Sequence, residues 1–473
     1  MRKALVILLA FFVLCSCGAA MAYSEAMDPR EEVTVEEILK AGDSAAAEGL
    51  SLEVRTSYRD NLFWNTRFTA GNSENAESDY RVSVKKDYGD WDYEPSGVNL
   101  NVMLEEGNFD YSDGDYEAAA ELEGIGVAYR ELWLETKPGE EREKSIYLKD
   151  YLDYYPISGE IEVPGLTVDF NFYRFNSDFL EGHEKAAVEE AYKAFNDYFK
   201  IPVLENEKQI ISIAKNEKGQ LRSRGGGTDG EAFYMWVDTV VLPDAVYFTI
   251  HNRSSQETIV DTSLIPGGYG IYRLPYFASE GGSEVYLDEL STAKSLDERF
   301  EVIYMLTDEP MEKLILIGRL DNSLRMLIID VATMETLQDI EIASDGNTGC
   351  WQYYDGGDFI VLFIDDMRTA LVERQPSGEY ILRFVIEDEA DGRLYNRYDA
   401  QAMAWDGEKL ALSGFKDIKD INERYRADFY YAVYDETGLL CFVDCDSSLS
   451  LLEEVQWDCV RGLDVDPIKL EWK

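Results

Sequence analysis

Chemistry needs side chains that move protons, attack carbon or hold metals, and this chain offers them sparsely. It has two histidines, His183 and His251. Neither has a second His or a Cys at metal-ligand spacing. There is no Gly-x-Ser-x-Gly elbow, so acyl transfer by a Ser–His couple would have to recruit one of these two rings. His251 sits in the strand-like run Phe248-Thr-Ile-His-Asn-Arg-Ser254, where a lone His reads as structural. The glycine-rich Arg224–Gly230 lacks the Gly-Lys-Ser/Thr ending of a phosphate loop and reads as a mobile loop. Two acidic stretches, Asp87–Glu94 and Asp110–Glu117, invite calcium. Neither fits well the full spacing of a calcium loop, which must gather six to eight oxygens and close with a Glu, so both read as acidic turns in water. No catalytic residue, metal or cofactor is assigned.

One reaction class needs only carboxylates. Glycosidases work with two Asp or Glu residues at a set separation, and 93 acidic residues make such a pair easy to place and impossible to pick. Ser344–Trp351 has the ends of the aspartate box of sialidase-like propellers but not its inner Asp and Gly. A carbohydrate-active hydrolase therefore stands as the alternative to a non-catalytic binding or scaffolding module.

Charge narrows the partners. Against 93 acidic residues stand 44 basic ones, for a net charge of −49. Such a surface repels nucleic acid and anionic headgroups. The expected partner is a protein or a glycan. The 31 tyrosines suit half-buried sheet positions, and the same ring stacks on sugars.

The N-terminus gives an address. Met1-Arg2-Lys3 is a basic start, and Ala4–Leu14 is an apolar run too short for a permanent span, which takes about 20 residues. Leu14-Cys15-Ser16-Cys17 resembles the lipobox of bacterial lipoproteins, which implies lipidation at Cys17 and anchoring on the outer side of the cell membrane. The alternative is cleavage after Ala22 and secretion. The signal and lipobox occupy residues 1–17, and residues 18–48 read as a tether with one short helical stretch, Val35–Lys40.

Of the cysteines beyond the signal, Cys441 and Cys445 lie four apart in a strand-like run. A strand separates them by about 13 Å, beyond the roughly 7 Å a disulfide spans. They read as small buried residues, with one bridge to Cys459 or Cys350 open.

The elements that must position any site repeat. Apolar strands begin at Lys313, Asp358 and Glu408, steps of 45 and 50 residues. Each is followed by an alternating strand (Arg325–Val331, Thr369–Arg374, Asp428–Tyr434), a polar turn and a further strand. Periods of about 40 to 50 residues with three or four strands each are the mark of propeller blades. Segments such as Ile328–Ile342 and Tyr431–Asp444 are similar to blade middles in bacterial β-propellers with degenerate repeats. That resemblance covers about residues 300 to 446 and implies a fold, not an activity.

The expected fold is all-β, a propeller of about 6–8 four-stranded blades with one inserted amphipathic helix. A β-sandwich or two β domains is the alternative. Residues 201–473 are assigned to blades. Residues 49–200 are assigned to a divergent N-terminal β region, either further blades or a small β domain, that carries the helix at 184–199. Gly126–Glu135 is read there as a strand, and Phe233–Leu242 as part of another blade.

Overall fold

The computed structural model describes residues 33–58, 62–82, 95–104, 124–171, 182–279, 282–344, 349–364, 368–387, 400–415, 428–448 and 463–473. Cys17, Cys459 and both acidic stretches lie outside the described residues. The chain is an all-β protein of the propeller class. Its described strands form seven sheets of three to five strands, in the antiparallel sequential pairing of blades. The chain divides into two compact units, one of residues 1–92 and 349–473 and the other of residues 93–348.

In the first unit the repeats fall where the sequence placed them. Cys350–Asp355, Phe359–Ile364, Arg368–Arg374 and Tyr380–Glu387 make one four-stranded meander. Phe359–Ile364 is buried along its whole length because both of its faces are covered. Ala400–Trp405, Leu410–Phe415, Phe429–Asp435 and Gly438–Ser447 make the next. Here the sequence reading needs correction. Val35–Gly42 is a strand and not a helical stretch in a tether, and it pairs antiparallel with Gly438–Ser447 as a fifth member of that sheet. The final strand, Leu463–Trp472, pairs with Leu50–Tyr58. Strands from the two ends of the chain thus complete each other's sheets. Cys441 and Cys445 lie in one strand and are buried, as expected, with no bridge between them, and no bridge joins either to Cys350.

In the second unit, Phe300–Asp308, Lys313–Leu320, Ser323–Asp330 and Thr336–Ala343 form a four-stranded meander. Val237–Leu242, Ala245–Ile250 and Gly270–Ser279 start another, which Gly282–Val285 and Ser291–Ser295 extend. Two three-stranded sheets complete it, Leu221–Asp229 with Lys208–Lys215 and Glu141–Tyr147, and Gly97–Val102 with Ile157–Val163 and Leu166–Asp169.

The described residues hold two α-helices, not one. Helix α1 (Ile125–Glu135) occupies the segment read as a strand. Ile125, Ala128, Tyr129, Leu132 and Trp133 pack on Ile146, Ile211 and Ile213. Their spacing is that of one helix face, which the run of β-favouring residues masked. Helix α2 (Gly182–Tyr198) matches its expected place, carries His183 in its first turn, and buries Val188, Ala191 and Phe195. Asn196 pins it by donating to the Ile157 carbonyl (2.7 Å) and accepting from the Ile157 N–H (2.9 Å).

The glycine-rich Arg224–Gly230 is also corrected, since all but its last residue lies in the strand Leu221–Asp229, paired with Lys208–Lys215. The glycines permit close approach. A Cβ on Gly226 would lie 2.6 Å from the Tyr129 hydroxyl, which itself donates to the Gly225 carbonyl at 3.0 Å.

Candidate functional site

The candidate site is an aromatic platform on the second unit, and backbone alternation builds it. Along Phe233-Tyr-Met-Trp236, Phe233 and Met235 are buried, while Tyr234 and Trp236 are 47% and 63% exposed. Side chains of an extended segment alternate sides, so the two outward rings share one face. They are near parallel, 12° between planes, with centroids 6.4 Å apart. Two neighbouring aromatic rings left in water by a well-held segment make this the candidate place for a ligand.

The segment is well held. Phe233 packs on Tyr155 with ring centroids 5.0 Å apart and forms a backbone bridge with Ser254. The Ala232 N–H donates to the Ser255 hydroxyl (3.0 Å), and the Ser255 N–H donates back to the Ala232 carbonyl (2.7 Å). The Ser254 hydroxyl donates to Glu231 (2.7 Å), and His251 N–H reaches the Trp236 carbonyl (2.8 Å).

Beneath lies Glu207, 1% exposed, whose carboxylate accepts from the Tyr155 hydroxyl and the Phe233 backbone N–H. Burial pushes this carboxyl upward, and the donors oppose the shift. Tyr155→Phe removes a donor from a buried carboxylate. It is expected to cost about 2 to 3 kcal/mol in urea unfolding and to loosen the platform segment in hydrogen exchange.

A polar group adjoins the rings. His251 lies against Trp236, with centroids 5.1 Å apart, and its Nδ1 is 3.7 Å from Glu301 Oε1. Burial holds the His251 ring below its ordinary pKa, so it is neutral near pH 7. Arg319 donates through Nε (3.0 Å) and Nη2 (2.6 Å) to Glu301 Oε2, and through Nη2 (2.5 Å) to Glu257 Oε2. Glu257 reaches it from a left-handed backbone position, φ 64°, unusual for a residue with a side chain. Such strain tends to gather at functional places. The strands Val237–Leu242 and Phe300–Asp308 pack beside each other, which brings Trp236 and Glu301 to the same end.

Asp238, two residues beyond Trp236 on the same strand side, is pushed by burial to about 7. Its folded form therefore holds a proton that the unfolded chain gives up near pH 4. Stability from this group is lost as pH rises from about 4 to 7 and stays lost above. Asp238→Asn is expected to raise unfolding free energy by about 2 kcal/mol at pH 8 and to change little at pH 4. Urea titrations at the two pH values check this.

The sequence reading assigned His251 a structural place, and the structure gives it partners beside the platform. It missed Tyr234 and Trp236, although the in-out alternation of Phe233-Tyr-Met-Trp236 was legible. Among the described residues no three His, Cys, Asp or Glu side chains gather as a metal site. The first unit holds a polar cleft of about 760 Å³ lined by Glu36, Glu37, Ser73, Glu74, Tyr431 and Asp446 among others. There Glu37 is engaged by the Gly71 N–H (2.9 Å), the Ser73 N–H (3.1 Å) and the Tyr431 hydroxyl (2.8 Å), as a structural clasp.

No protein-family model matches the chain, and no curated protein matches it. Three solved structures that it resembles are distant. A putative 6-phosphogluconolactonase from Bacteroides fragilis aligns over 91% of this chain and 99% of its own, at 8% identity and TM-score 0.30. A Lactobacillus plantarum protein aligns over 83% and 99%, at 10% identity and TM-score 0.28. The β-propeller domain of Cps50 (Swd1) from Myceliophthora thermophila aligns over 50% and 79%, at 10% identity and TM-score 0.23. Likenesses this loose carry nothing about activity; the class of this chain rests on its own strand pairing.

Proposed function

We propose that this chain is an extracytoplasmic binding module, anchored by lipid at Cys17, that takes an uncharged glycan on Tyr234 and Trp236. The exposed, near-parallel ring pair on a pinned segment carries this reading. Apolar C–H faces of sugars stack on such rings, while their hydroxyls bond to polar neighbours of the kind Glu257, Glu301 and Arg319 provide. The net charge of −49 disfavours anionic polysaccharides.

Glu257 and Glu301 both engage Arg319 Nη2, which sets these two carboxylates aside as the acid of a hydrolase and favours binding there. A glycosidase needs one carboxyl free to hand a proton to the leaving group. A guanidinium clasped by both leaves neither free. Co-sedimentation of the mature chain with insoluble uncharged polysaccharides tests the reading. Retention that Trp236→Ala abolishes is expected, and equal retention of the variant would sink it. Cys17→Ala is expected to move the protein from the membrane fraction to the medium.

A further inference from the structure

The strand Leu221–Asp229 leads to the platform. The Thr228 and Tyr234 hydroxyls are 3.4 Å apart. The strand is exposed from Gly226 to Asp229 and, among the described residues, lies at the edge of its sheet, paired on one side with Lys208–Lys215. Gly225, Gly226 and Gly227 project no side chains from it, and a Cβ built on Gly227 would meet no atom within 4 Å. A bare strip of backbone therefore runs up to two outward rings. The centroids of those rings are 6.4 Å apart.

We propose that the platform takes successive sugar rings of one extended polysaccharide chain, which continues along Gly225–Thr228, and does not take a single terminal sugar. This rests on the glycan-binding reading above. Tyr234 and Trp236 each stack one sugar, and backbone groups of the glycine strand meet hydroxyls of sugars further along. Gly227, where a Cβ would meet nothing within 4 Å, serves the site by keeping its part of that strip clear.

The test is isothermal titration of the full mature chain with N-acetylglucosamine and with uncharged chito-oligosaccharides of two, four and six sugars. Affinity is expected to rise at least about ten-fold from one sugar to four. Trp236→Ala and Tyr234→Ala should each flatten that rise. Gly227→Thr fills open space and so preserves the fold. It should weaken the hexasaccharide several-fold and leave the disaccharide unchanged. Equal affinity at all lengths, lost in both aromatic variants, would overturn this proposal in favour of a clamp on one sugar while leaving glycan binding in place. Hexasaccharide binding indifferent to Gly227→Thr would remove the glycine strip from the site. Absence of binding at every length, with cello-oligosaccharides also silent, would overturn the glycan reading and this proposal with it.

Discussion

Gly42→Ala is expected to release the strand Val35–Gly42 from Gly438–Ser447 and to cost at least about 3 kcal/mol. Two terms add. Gly42 has φ 74°, a left-handed conformation that costs a side-chain-bearing residue about 1 to 2 kcal/mol. A Cβ there would also fall 1.9 Å from the Leu440 carbonyl oxygen, a backbone atom that cannot swing aside. The Asp43 N–H to Leu440 carbonyl bond at 3.0 Å sits at the same point and would be lost as the strands part. Gly71→Ala is the control: φ is 77°, yet its Cβ would meet nothing within 4 Å, so only the conformational term of about 1 to 2 kcal/mol applies. Urea midpoints, with hydrogen exchange across Val35–Gly42, separate the two. Equal losses for the two variants would show that the closure of this sheet is looser than described.

Trp236→Ala is expected to lower glycan affinity about ten-fold or more and to move the unfolding midpoint very little. The side chain is 63% exposed, so folding gains little from it, whereas a stacked sugar would cover its face. His251→Ala behaves differently. It removes the ring packed against Trp236 and leaves Glu301 with Arg319 alone, so it should weaken binding by changing how Trp236 is held. Affinity and stability measured on the same samples distinguish the two. A Trp236→Ala protein that unfolds early would mean the ring is structural.

What the sequence made legible follows from where the signal is local. Strands such as Phe359–Ile364 and Arg368–Arg374 announce themselves by apolar runs and tight turns, and they fall within a residue of their expected bounds. Helix α2 shows its period openly. Helix α1 does not, because Val127, Tyr129 and Trp133 also favour strands, and only packing on Ile211 and Ile213 decides. Val35–Gly42 was misread because its strand state depends on pairing with residues some 400 positions away. The same holds for the glycine-rich strand, whose glycines look like a loop until Tyr129 and Ser212 are seen to crowd them. At the site, alternation in Phe233–Trp236 was readable. The meeting of His251, Glu257, Glu301 and Arg319 was not, since it joins two different sheets.

The most direct measurement is a crystal structure of the mature chain soaked with an uncharged hexasaccharide. The account expects pyranose rings in van der Waals contact with the outer faces of Trp236 and Tyr234, and the remaining sugars along Gly225–Thr228. A saccharide bound elsewhere with this platform bare, or no saccharide bound at saturating concentration, would contradict it.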